Sequence, residues 1–129
     1  MRFLSYIESD PAQPWGPPPP ELFEAIGAFG EEMVKLGVIV DQGGLADIAT
    51  SPHIRLAGGK ITVTDGPFSE AKEVIGGYGM YDVRSREEAI EYSRRFMQVH
   101  LDTWPEFEGT SVVRQVFGPN AESDVVGEA

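Results

Sequence analysis

The chain has 129 residues, one domain's length, and at 41% hydrophobic and 24% charged its composition supports a packed core. The absence of cysteine excludes disulfides, thiolate metal sites and a cysteine nucleophile. Ten basic against 21 acidic residues give a net charge of −11, which repels phosphate backbones and anionic lipid, and no run approaches the roughly 20 apolar residues of a membrane span. The expectation is a soluble, cytoplasmic protein with neither a nucleic-acid nor a membrane partner.

Residues 2 to 8, with Phe3, Leu4, Tyr6 and Ile7, read as a first strand buried on both faces. Six of the ten prolines then fall between Asp10 and Pro20 together with Trp15, a composition that breaks regular structure and makes a semi-rigid loop. From Glu21, Leu22, Ile26, Phe29, Met33 and Leu36 recur at spacings of four, three, four and three, one stripe of an amphipathic helix. Pro20 suits its first turn and Gly37 its C-terminal cap. Val38 to Val40 make a short second strand running into Gln42-Gly43-Gly44, where paired glycines suggest a bulge or sharp turn.

Gly58-Gly59 joins His53–Ala57 to Lys60–Thr64 as a two-residue hairpin. Its register sets Leu56 opposite Ile61 and Ile54 opposite Val63 on a face expected to be core, with Arg55–Thr62 and His53–Thr64 on the wet side. Ile75 to Val83 is a further strand, interrupted by Gly76, Gly77 and Gly79, which suggests close approach of a helix, a neighbouring sheet or a ligand. Ser85-Arg86-Glu87-Glu88 is a capping box opening a helix with Ala89, Ser93, Phe96 and His100 on one line. Ser111 to Phe117 is the last strand, and the acidic residues 119–129 are expected to be a disordered tail outside a single domain of residues 1–118.

Without the hairpin the order is β-α-β-β-α-β, an α+β, ferredoxin-like arrangement with two helices on one face of an antiparallel sheet. The other face needs a cover, and in a chain with no third helix a second copy is the economical one, giving a homodimer.

Asp65 follows Ile61 and Val63 by parity onto the hairpin's apolar side. An aspartate there ordinarily caps a turn through the amide two or three residues on, but the amide two on belongs to Pro67 and is missing, so a turn cap must use a later N–H. The other reading makes Asp65 a ligand-facing acid or base, with Glu70 as a partner carboxylate of which one is protonated at neutral pH. Glu70, Lys72 and Glu73 also read as a solvated charge cluster at one helical turn, and Arg55 and Lys72 are the cations near enough in sequence to hold a ligand or lower the Asp65 pKa. Tyr78 and Tyr81 lie on opposite faces of their strand; Gly77 and Gly79 share the face of Tyr81 and floor a groove that admits either a flat ligand or a closely packed helix. Trp15 and Trp104 either gate a cleft or pack on the surface. His53 and His100 lack metal-ligand spacing, and no phosphate loop, serine elbow or dinucleotide fingerprint is present, so neither metal nor cofactor is expected.

Asp65-Gly66-Pro67-Phe68, followed by Glu70, Lys72, Glu73 and Gly76-Gly77-Tyr78, resembles the DGPF-motif branch of the YCII-related proteins. Gly44-Leu45, Arg55, Glu88-Ala89, Trp104-Pro105, Glu108-Gly109 and Val113-Arg114 extend the resemblance from Met1 to about Gly118. It implies a dimeric α+β barrel and Asp65 as a site residue. Some relatives in the wider group look like dehydrochlorinases of hydroxylated aromatics that pair a histidine near the first helix with an aspartate, but residues 21 to 36 here contain no histidine to carry over. Two functions follow as expectations: a small-molecule enzyme of proton-transfer type, lyase- or isomerase-like, with Asp65 as acid/base, or a noncatalytic metabolite-binding or regulatory homodimer.

Overall fold

Strand β1 (Arg2–Ser9) lies at the centre of the fold, hydrogen-bonded on both sides, in a computed structural model that describes residues 1–10, 16–65 and 74–118. The other described elements are α1 (Pro20–Lys35), β2 (Ile39–Gly44), β3 (His53–Ala57), β4 (Lys60–Thr64), β5 (Val74–Asp82), α2 (Arg86–Thr103) and β6 (Thr110–Gln115), with a short 3₁₀ turn at Ile48–Thr50. Four strands form one antiparallel sheet in the order β2-β5-β1-β6, and β3 and β4 form a separate hairpin. This is the ferredoxin-like arrangement expected from the element order. The acidic tail, Trp15, Glu70 and Lys72 lie outside the described residues.

Local chemistry sets the helix ends. Pro20 sits in the first turn of α1, and Gly37 turns into the left-handed region at φ +74°. The Gly37 N–H then donates to the Val34 carbonyl at 3.0 Å and the Val38 N–H to Met33 at 2.9 Å, the paired bonds that close a helix on a C-terminal glycine. At α2 the Ser85 hydroxyl accepts from the Glu88 N–H at 3.1 Å, while the Glu88 carboxylate engages Arg84 at 3.3 Å. Both helices cover the same sheet face. Leu22, Phe29 and Met33 of α1 are buried, as are Ala89, Ser93 and His100 of α2, and the Phe29 and Phe96 rings meet at 5.5 Å across the helix pair. Leu36, the last member of the α1 stripe, is exposed because it is the capping residue where the chain leaves the helix. From the sheet, Phe3, Ser5, Ile39 and Tyr81 complete the buried layer.

Two irregularities shape the sheet. In β5, Gly76 and Gly77 stand together opposite Ile7, between the Tyr6–Tyr78 and Glu8–Ile75 pairs, so the glycine pair is a bulge. A side chain on Gly77 would place its Cβ 2.9 Å from the Gly43 carbonyl oxygen, so β2 packs against bare backbone there. A second bulge at Val40 separates the Ile39–Tyr81 and Asp41–Met80 pairs, and β2 continues as strand through Gly44 rather than turning at the glycines.

The β3–β4 hairpin has the register read from the sequence, with Ile54 opposite Val63 and Leu56 opposite Ile61. Its apolar face is not core, however: Ile54, Leu56, Ile61 and Val63 are 72%, 73%, 68% and 65% exposed. Alternation dictates which side of a strand is apolar, but the hairpin pairs with neither edge of the main sheet, so that side meets solvent. Among the described residues no helix is long and apolar enough to cross a membrane.

Candidate functional site

Between the two helices and the sheet the packing stops short. A cleft of about 590 Å³ opens there, walled by Phe23, Ile26 and Phe29 of α1 and by Phe96 and His100 of α2. Ser5, Ile7, Gly77, Gly79 and Tyr81 line its floor, Gln42 and Gly44 its β2 side, and Trp104 and Phe107 close one end. Gly79 explains part of the space. Among the described residues a Cβ built there would touch only the Tyr81 ring, at 3.5 Å, so none of them demands glycine and the missing side chain leaves volume to the cleft.

The aromatic wall is continuous. Phe96 meets His100 edge-on at 4.9 Å, His100 meets Phe107 at 5.5 Å, and Phe107 stacks on Trp104 at 4.7 Å with 21° between ring planes. Helical spacing produces this row, since 96, 100 and 104 recur every fourth residue and Phe107 is brought back by a turn in which its N–H donates to the Trp104 carbonyl at 3.0 Å.

Polar groups at the cleft are few. The Ser5 and Ser93 hydroxyls share a buried 3.0 Å hydrogen bond between β1 and α2. Burial pushes the nearby Tyr81 phenol above its ordinary pKa, and the Ser93 and Ser5 hydroxyls pull it part of the way back. His100 Nδ1 lies 2.9 Å from the Phe96 carbonyl oxygen. A carbonyl only accepts, so Nδ1 carries a proton there, and Nε2 is the ring nitrogen left for another partner. The Trp104 indole Nε1 is buried with no hydrogen-bond acceptor among the described residues.

Gly77 and Tyr81 therefore meet at this cleft, with Gly79 between them. Tyr78 borders it, but its hydroxyl donates to Asp41 Oδ2 at 3.1 Å on the sheet face away from the helices, and that contact raises its pKa. Asp65 is exposed just beyond β4, and neither it nor Arg55, exposed on β3, is among the lining residues. Glu70 and Lys72 fall outside the described residues. Among the described residues no three His, Asp or Glu side chains are grouped to hold a metal ion. Sequence reading sets His100 on the line of Ala89, Ser93 and Phe96 and leaves Trp104 between gating a cleft and packing on the surface; the signal that places both here is the four-residue recurrence of Phe96, His100 and Trp104.

The model of the YCII-related domain matches residues 1–108. An uncharacterized protein of Rhizobium meliloti (strain 1021) is 26% identical over 101 residues, covering 78% of this chain and 82% of that protein. With its ferredoxin-like topology and a family match over most of its length, the chain belongs to the YCII-related domain family.

Proposed function

We propose that the protein binds a small molecule in the cleft between its helices and its sheet. The observation that carries this reading is Gly79: a residue with room for a side chain has none, at the floor of a space walled by five aromatic rings and His100. Apolar walls with a few convergent polar groups are the usual make-up of a ligand site. Asp65 is not at this cleft, so the reading is one of binding, ahead of proton transfer by Asp65. N-phenyl-1-naphthylamine, a neutral dye that brightens in apolar sites, tests it. Saturable brightening is expected, abolished by Gly79→Leu and weakened by Phe23→Ala; brightening that neither substitution alters contradicts it.

The protein acts as a homodimer in this reading. Leu4, Tyr6, Met80 and Val112 are only partly buried on the sheet face that the helices leave uncovered. Burying that face against a second copy would remove more than about 1,000 Å² from water, the scale of a stable interface. Sedimentation at micromolar concentration is expected to give a dimer that Met80→Glu dissociates. A wild-type monomer refutes it.

A further inference from the structure

The cleft's chemistry restricts what it can hold. Among the described residues none that lines it is Asp, Glu, Lys or Arg, so an ionic group carried inside would find no counter-charge among them. The chain's net charge of −11 opposes anions in particular. A cation would find ring faces and neutral polar groups such as Gln42 and the Ser5 hydroxyl, but no carboxylate among the described residues to offset the loss of its water. The ligand is thus neutral, and its shape follows from walls made of ring faces and a floor thinned to backbone at Gly77 and Gly79.

One group asks for a specific partner. Trp104 is 7% exposed, lines the cleft, and has its indole Nε1 buried without an acceptor among the described residues. An indole N–H only donates, and buried donors in folded proteins are almost always paired. No backbone carbonyl among the described residues accepts from the Trp104 Nε1–H. The other buried orphan among the described residues, the Ser111 hydroxyl, is not at the cleft and can also rotate to suit; the indole is fixed by stacking on Phe107.

We infer that the cleft takes a neutral, planar molecule bearing a hydrogen-bond acceptor such as a carbonyl oxygen, which receives the Trp104 Nε1–H. This rests on the binding reading of the same cleft and specifies its ligand class. His100 adds a second polar group: with Nδ1 committed to Phe96, Nε2 is the ring nitrogen left for a polar group of the same ligand.

The test uses two isosteric probes, 2-acetylnaphthalene and 2-isopropenylnaphthalene, which differ in a carbonyl oxygen against a methylene. The ratio of their dissociation constants is measured for the wild type and for Trp104→Phe, which keeps the ring and loses the donor. The wild type is expected to favour the ketone by about tenfold more than the variant does, the scale of one hydrogen bond. On the wild type itself, the ketone moves one of the two indole N–H resonances downfield and the alkene does not, with Trp15→Phe assigning the peak; this arm decides the matter should Trp104→Phe not fold. Binding of both probes with an unchanged ratio and a still indole resonance overturns the inference and leaves the cleft reading standing. Binding of neither overturns both.

Discussion

The Ser5 and Ser93 hydroxyls, 88 residues apart in sequence, meet at 3.0 Å where β1 passes under α2. Both side chains are buried beside the Tyr81 ring, so the pair pins the second helix to the central strand at the inner edge of the cleft. Each hydroxyl satisfies the other in a setting where an unpaired one is costly. Ser5→Ala and Ser93→Ala are each expected to destabilise the fold by about 0.5–1.5 kcal/mol. The double variant should lose less than the sum, since the second substitution removes a group already left without its partner. Denaturant unfolding of the four proteins at one fixed concentration checks this, and strict additivity would show that the two hydroxyls act independently.

Tyr81 gives the fold an alkaline limit. Its folded pKa is raised above 10.0 by burial, so as pH climbs past the unfolded value the unfolded chain releases a proton that the folded one retains. Its contribution is therefore intact below about pH 10 and lost as pH rises through the folded pKa. In Tyr81→Phe the fall of stability above about pH 10 should be shallower than in the wild type. Identical slopes would mean that Tyr81 ionises with equal ease in both states.

Asp65 stands in solvent beyond β4, and no structural contact in the described residues depends on it. Asp65→Ala is expected to change stability by no more than about 0.5 kcal/mol, the range of surface substitutions, and to leave dye binding unaltered. A loss above about 2 kcal/mol would assign Asp65 a structural cap instead.

Much of this fold is legible in the sequence because its signals are local. The 22-26-29-33 spacing with Pro20 before it and Gly37 after it defines α1, and Gly58-Gly59 defines the hairpin register. Side-chain parity also sets Gly77, Gly79 and Tyr81 on one face of β5. What the sequence does not carry is which surfaces meet. The hairpin's alternation reads as core, yet Ile54 and Leu56 have no partner layer within the described residues. The α2 stripe likewise reads as core at His100; only the glycine floor opposite, brought there by β5 from elsewhere in the chain, turns that stripe into a cleft wall. Asp65 draws attention by its motif, but of that stretch only Gly76, Gly77 and Tyr78 reach the cleft, and the helical spacing that supplies its walls reads equally as ordinary core.

The cleft and the bare hairpin face are competing apolar surfaces, and one measurement separates them. Isotope-filtered nuclear Overhauser contacts from bound N-phenyl-1-naphthylamine to the protein locate the dye directly. The account predicts contacts to Ile26, Phe96 and Phe107. Contacts confined to Ile54, Leu56, Ile61 and Val63 would contradict it.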